Sequence, residues 1–140
     1  MITNPNGSKR FQDSDLVHTS VFNTLLDSFD RVAITKNNIG ITQSSQQIFS
    51  FTPSNLFSNN LSISFYVRTT AQCTLSATLS YTDDSTFQNY SIINNYNFAS
   101  ADSYTFSPIY ISSVSQPVTL TVATGNTSGV VYVSASAVYL

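Results

Sequence analysis

From Leu61 onward the chain alternates apolar and polar residues with a period of two, and it does so repeatedly. Leu61, Ile63, Phe65 and Val67 alternate with Ser62, Ser64, Tyr66 and Arg68. Cys73, Leu75, Ala77, Leu79 and Tyr81 alternate with Thr74, Ser76, Thr78 and Ser80. Successive side chains of a β-strand point to opposite faces, so this pattern predicts strands with one buried and one wet face. Val118, Leu120 and Val122 repeat it, as do Val131, Val133, Ala135, Ala137 and Tyr139. Further strands are expected over Gln47–Phe51, Phe87–Ile93 and Tyr104–Ile111, with Pro108 marking an edge position or a bulge. Turn chemistry separates them at Thr52-Pro53-Ser54, Asp83-Asp84-Ser85, Asn94-Asn95 and the Gly125–Gly129 loop. Seven or more short strands at such spacing indicate a mainly β protein, an antiparallel β-sandwich of jelly-roll-like type.

One stretch follows a different period. Leu16, Val17, Val21, Phe22, Leu25, Leu26, Phe29 and Val32 recur at helical steps, which predicts one N-terminal α-helix over Ser14–Val32. Asp13, Ser14 and Asp15 supply cap oxygens and negative charge where a helix starts. Asn4-Pro5-Asn6-Gly7 is a turn signal and makes Met1–Gln12 an irregular arm, while Asn37-Asn38-Ile39-Gly40 breaks the helical pattern. Charge follows the same division. Residues 1–36 hold Lys9, Arg10, Arg31 and Lys36 with Asp13, Asp15, Asp27 and Asp30, whereas residues 37–140 hold only Arg68, Asp83, Asp84 and Asp102. Two parts are therefore expected: residues 1–36, an arm and helix for anchoring and oligomerisation, and residues 37–140, the sandwich. Each buried Leu or Phe contributes about 1.5–3 kcal/mol, so the stripe Leu16, Val17, Val21, Phe22, Leu25, Leu26 and Phe29 is a candidate interface between copies. The alternative is that the helix covers its own sandwich.

Composition excludes several classes of function. Charged residues are 9% of the chain and no Glu occurs, far below the roughly 25% of an ordinary soluble domain. Five Lys and Arg in all cannot form the basic patch that phosphate contacts require, so no nucleic-acid partner is expected. No apolar run approaches the roughly 20 residues that a membrane helix needs. Lys9-Arg10 is followed by Phe11-Gln12-Asp13-Ser14-Asp15 rather than by an apolar stretch, so no signal peptide is read. The Asn-x-Ser/Thr sites at Asn6, Asn60, Asn89 and Asn126 then carry little meaning. A lone Cys73 within an apolar alternation reads as a buried, reduced thiol. An uncharged Ser/Thr/Asn-rich surface on a chain made in the cytoplasm fits a particle assembled inside a cell and freed by lysis, and equally a chain secreted by a signal-less route or an unusual cytoplasmic protein.

The residues offer little chemistry. His18 is the sole histidine and has no local catalytic motif, so a helix-surface or interface role is expected. Zinc requires several His or Cys ligands, and one of each is present. Asp83 and Asp84 read as a turn before a calcium site or a glycosidase pair, because adjacent acids do not converge across a cleft. No cofactor and no enzymatic activity are expected. Aromatics are the remaining signal. Tyr90, Asn94, Asn95, Tyr96 and Asn97 are candidate glycan contacts, against the competing reading that strand tyrosines serve packing or protein interfaces.

Two stretches together resemble a known family. Asp15-Leu16-Val17-His18, then Phe22-Asn23 and Leu25-Leu26, resembles a D-L-V-H-x-x-x-F-N segment of phage tail and fibre proteins, with a shorter gap before the leucines. Thr74-Leu75-Ser76-Ala77-Thr78-Leu79-Ser80-Tyr81-Thr82-Asp83 is similar to a T-V-T-V-T-Y-T-D strand of a small β domain in phage and prophage structural proteins. Ser103-Tyr104-Thr105-Phe106-Ser107-Pro108-Ile109, Val118–Val122 and Val131–Ala135 follow in that domain's order, with Asp102 where it has glycine. The resemblance implies a structural component of a bacteriophage particle, in tail, fibre or head decoration. It also implies a homo-oligomer, with three-fold symmetry as in fibres, and other virion proteins as partners. The alternative function is an adhesin that recognises host-surface glycans.

Overall fold

The computed structural model describes residues 2–3, 9–10, 31–55, 58–112, 116–125 and 129–140. In the arm, β1 (Ile2–Thr3) and β2 (Lys9–Arg10) form a short antiparallel ladder, so this part is not wholly irregular. Eight longer strands build the domain. They are β3 (Val32–Gly40), β4 (Ser45–Phe51), β5 (Leu61–Thr69), β6 (Cys73–Asp83), β7 (Thr86–Phe98), β8 (Asp102–Ile111), β9 (Val118–Gly125) and β10 (Val131–Tyr139). The first sheet has the order β3-β10-β5-β8 and the second β4-β9-β6-β7, with every pairing antiparallel. Each connection crosses from one sheet to the other except the β6–β7 hairpin. This is the strand order of a jelly roll, two Greek keys closed face to face.

The core lies between the central strands. Leu61, Ile63, Phe65 and Val67 of β5 and Val131, Val133, Ala135 and Ala137 of β10 face Cys73, Leu75, Ala77 and Leu79 of β6 and Val118, Leu120 and Val122 of β9. All are buried, and the residues between them are not. The alternation read from the sequence is thus the alternation of the pleat. Outward positions pair by polarity: Ser50 and Thr119 share a 2.8 Å hydroxyl contact, and Arg68 lies 4.3 Å over the ring of Tyr132, its partner in the β5–β10 ladder. Among the described residues no buried side-chain nitrogen or oxygen lacks a hydrogen-bond partner.

Every register shift puts its extra residue on one of the four outer strands. β3 carries two, β4 one at Ile48, β7 two and β8 one beside Pro108. The β4 bulge explains why the consecutive Ile48 and Phe49 are both buried. Bulges interrupt the flat ladder that would otherwise recruit foreign strands. Pro108 is in β8, which is both an edge strand and bulged, as its missing N–H requires.

Three sequence expectations need correction. Of the expected helix Ser14–Val32, only Arg31 and Val32 are described, and Val32 is in β3 rather than in a helix. No helix occurs among the described residues. Asn37-Asn38-Ile39-Gly40 is not a break that follows a helix: it forms the last four residues of β3, which begins at Val32. Asn38 adopts φ 54°, which asparagine tolerates, and its N–H donates to Ser134 Oγ at 2.9 Å. Likewise Asn94-Asn95 does not end the strand that begins near Phe87. Asn95, at φ 51°, donates its N–H to Ser76 Oγ at 2.9 Å, and β7 continues to Phe98.

The Asp83–Ser85 turn forms as read. Asp83 pairs with Thr86 and the two residues between them have φ 43° and 68°, which is the left-handed geometry that a two-residue hairpin loop demands. Cys73 is fully buried, and burial pushes its thiol pKa up. Folding therefore favours the protonated thiol. That contribution is whole below the thiol range of the unfolded chain and is lost as pH rises through the folded value. Stability is expected to fall on the alkaline side. A thiol reagent at neutral pH is expected to leave the native protein unlabelled and to label it on unfolding, and rapid native labelling would contradict the burial.

Candidate functional site

The most distinctive surface lies where β7 and β8, edge strands of the two different sheets joined by the short link 99–101, bring Tyr96 and Tyr104 together. Tyr90, Ile93, Tyr96 and Phe98 of β7 oppose the inward residues Leu79, Ala77, Leu75 and Cys73, so all four are on the core side of the second sheet. Tyr104 and Phe106 oppose Val67 and Phe65 and are on the core side of the first. At the centre of the sandwich such residues are covered by the facing sheet. At its rim they meet one another. Tyr96 packs edge-on against Phe98 with ring centroids 4.8 Å apart, and Tyr96 meets Tyr104 across the gap between sheets at 6.2 Å. Tyr104 packs on Phe106 at 4.5 Å, and Phe106 on the buried Phe65 at 5.3 Å. The result is an aromatic seam that starts in the core and ends in solvent. Tyr96 and Tyr104 are 44% and 46% exposed.

The structure divides the five candidate glycan contacts. Tyr90 and Tyr96 face the core side of β7, while Asn97 opposes the outward Thr74. Asn95 bonds to Ser76, also on the outer face, through both its N–H and its Oδ1. Asn94 is exposed beside it in the bulge. The asparagines therefore do not flank the tyrosine rings, as a sugar site combining stacking with hydroxyl recognition would need. Tyr104, which sequence reasoning left out of the site, is the true neighbour of Tyr96. Its sequence signal is the repetition of aromatic-x-aromatic, Tyr96-Asn97-Phe98 and Tyr104-Thr105-Phe106, on either side of a link of small residues.

The remaining candidates are less organised. Asp83 and Asp84 occupy the hairpin tip, and among the described residues no group of three or more His, Cys, Asp or Glu is placed to hold a metal. The Tyr81 phenol pKa is raised by burial first, then by the Asp83 carboxylate and by Tyr90. A hollow of about 290 Å³ on the outer side of the first sheet is lined by Val32, Thr35, Ser64, Tyr66, Ser134 and Ser136 among others. A second, of about 460 Å³, lies between Arg68, Thr69, Thr70, Ala101, Asp102 and Ser103. There the Asp102 carboxylate accepts the Ser103 N–H at 2.8 Å, and its backbone carbonyl accepts the Thr69 hydroxyl at 3.5 Å. Asp102 is absent from the positive-φ positions, so this turn does not need the glycine found in the domain it resembles. The stripe Leu16, Val17, Val21, Phe22, Leu25, Leu26 and Phe29, and His18 with it, lie outside the described residues.

No protein-family model and no curated protein matches the sequence. Solved structures do match the fold. A chain of the T=1 particles derived from infectious bursal virus superposes with a TM-score of 0.54 at 14% identity, over 79% of this chain and 31% of that one. A chain of the infectious bursal disease virus Gt strain does so with a TM-score of 0.50 at 15% identity, over 79% of this chain and 33% of that one. The chain thus spans about a third of the length of the solved chains it matches. What it shares with these chains of a virus particle is the jelly-roll fold.

Proposed function

We propose that the protein is a structural component of a virus particle, specifically a bacteriophage particle, present in multiple copies. The observation that carries this reading is the complete jelly-roll strand order, which superposes on a chain from virus-derived T=1 particles. Jelly rolls also serve lectins and other proteins, so fold alone does not choose among them. The choice rests on the resemblance of Asp15–Leu26 and Thr74–Asp83 to phage structural proteins, and on the low charged fraction of the chain, 9%. In this reading residues 1–36 anchor the domain. The apolar stripe from Leu16 to Phe29 joins copies as a homotrimer, and the partners are other virion proteins. The chain acts through its surfaces and has no catalytic role; incubated with host cell wall or capsular polysaccharide, it is expected to release no sugar.

The test is density-gradient purification of particles from producing cells, followed by quantitative mass spectrometry. The protein is expected to band with the particles at several copies each. Recovery solely from the soluble lysate, with none in the particle band, would remove the proposal. Saturable binding to host-surface glycan, lost on Tyr90→Ala or Tyr96→Ala, would instead establish the adhesin.

A further inference from the structure

We infer that the hollow lined by Arg68, Thr70, Asp102 and Ser103 binds a carboxylate-bearing saccharide, a sugar acid. The inference adds a contact to the structural role and takes from that reading only the anchoring through residues 1–36. Arg68 is the sole Lys or Arg of residues 41–140 and the sole one outside the N-terminal part. Among the described residues its guanidinium has neither an ion pair nor a hydrogen bond, and its contact is the Tyr132 ring, 4.3 Å away. Contact with an aromatic face positions the cation without consuming an N–H. The planar fork that matches a carboxylate with two parallel bonds therefore stays open. Asp102 precedes Ser103, which opposes Arg68 in the β5–β8 ladder, yet Arg68 and Asp102 form no ion pair. Both charged residues are exposed and line the same hollow of about 460 Å³.

The groups around them complete a polar site. Thr70 Oγ1 accepts the Val130 N–H at 2.8 Å and keeps its own O–H to donate. The Asp102 carboxylate accepts the Ser103 N–H at 2.8 Å through one oxygen and keeps the other. The Ser103 hydroxyl has no partner among the described residues. The hollow thus offers one cationic fork, hydroxyls and one carboxylate acceptor, with no large apolar side chain in its lining. An apolar ligand finds no wall there, and nucleic acid meets a single cation beside a carboxylate. A neutral sugar leaves the fork without its matching anion. A sugar acid uses every group, with its carboxylate on Arg68 and its ring hydroxyls on Asp102, Thr70 and Ser103.

The hollow is also at the free end of the sandwich. The chain enters β3 at Val32, where the Arg31 carbonyl accepts the N–H of Tyr139, the residue that pairs with Leu61. Arg68 is near the opposite end of β5, about 23 Å away at the rise of a strand. There β3 ends, at Gly40 beside Tyr132, and β8 begins, at Asp102. A domain held through residues 1–36 presents this end outward. A single exposed ion pair is weak, so one site is expected to bind in about the millimolar range. Copies repeated on a particle bind a polymer of sugar acids more tightly.

The test is nuclear magnetic resonance of the isotope-labelled full chain titrated with a glucuronic acid tetramer, a neutral glucose tetramer and tetra-aspartate. The glucuronic acid tetramer is expected to give saturable shifts centred on residues 68–70 and 101–103. Arg68→Ala should weaken them about tenfold or more, and the other two probes should give none. Where Arg68→Ala disturbs the domain, Arg68→Lys keeps the charge but loses the fork, and should still weaken binding several-fold. No saturable shift up to about 10 mM, or shifts that persist unchanged in a folded variant, would overturn the inference. An equal response to glucose would show that the carboxylate is not read, and an equal response to tetra-aspartate would assign the site to acidic protein; either also overturns it. The particle reading is judged separately, by the presence of the protein in purified particles.

Discussion

Phe65→Ala is expected to lower the unfolding free energy by about 3–5 kcal/mol, the range for removing a buried phenylalanine. Phe65 is at the middle of β5, a central strand of the first sheet, and is 2% exposed. Its ring faces the second sheet and touches Phe106, the inner end of the aromatic seam. Truncation removes apolar contacts and leaves a cavity between two hydrogen-bonded sheets, which cannot close without shifting several strands. Whole domains of this size are stable by only about 5–15 kcal/mol, so the variant should be marginal. Urea unfolding followed by circular dichroism measures the difference. A loss well under 1 kcal/mol would mean that the site is not packed as described. Phe65→Leu, which keeps most of the volume, should cost much less.

Gly129→Ala is expected to cost about 1–3 kcal/mol by overpacking, although it adds a single methyl group at a loop position. A Cβ there would lie 2.7 Å from the Ala71 Cβ and 3.0 Å from the Ala71 backbone nitrogen, and would collide with Thr70 Oγ1. The hydroxyl cannot simply rotate away, because it accepts the Val130 N–H at 2.8 Å while the Thr70 N–H donates to the Val130 carbonyl at 3.0 Å. These bonds fix the entry to β10, the strand between β3 and β5. Differential scanning calorimetry should show a lower Tm. An unchanged Tm would mean that the 70–71 and 129–130 segments are farther apart than described. At Gly125 the obstruction is only the Thr74 hydroxyl at 2.9 Å, so Gly125→Ala should be milder.

The central strands were legible in the sequence because both their neighbours are strands and one face is fully dry. Under those conditions burial has a strict period of two, as in β5, β6, β9 and β10. The outer strands were read less well for a reason common to them all. Each has a bulge, and a bulge adds a residue and breaks the period. Asn38 and Asn95 show the difficulty most clearly. Both were read as breaks, since asparagine at a left-handed position is ordinarily a turn signal. In each case a serine hydroxyl on the neighbouring strand, Ser134 or Ser76, receives the N–H and pairing resumes. Sequence order does not tell which serine will be opposite, so turn and bulge look alike until the sheet is assembled.

The surface site was half legible for a related reason. Tyr90 and Tyr96 stood out, but Asn94, Asn95 and Asn97 were grouped with them by closeness in sequence. Two bulges in β7 and the alternation of faces separate them in space. Tyr104 was missed because its contact with Tyr96 depends on two sheets ending side by side, which follows from the jelly-roll crossing and not from either strand alone. The seam's chemistry was in the sequence, whereas its geometry comes from the topology.

The central claim is that this jelly roll is a repeated building unit of a phage particle. Electron cryo-microscopy of purified particles tests it most directly. The proposal predicts density for the eight-stranded sandwich at symmetry-related positions. A particle map of sufficient detail in which no density accommodates the sandwich would contradict it.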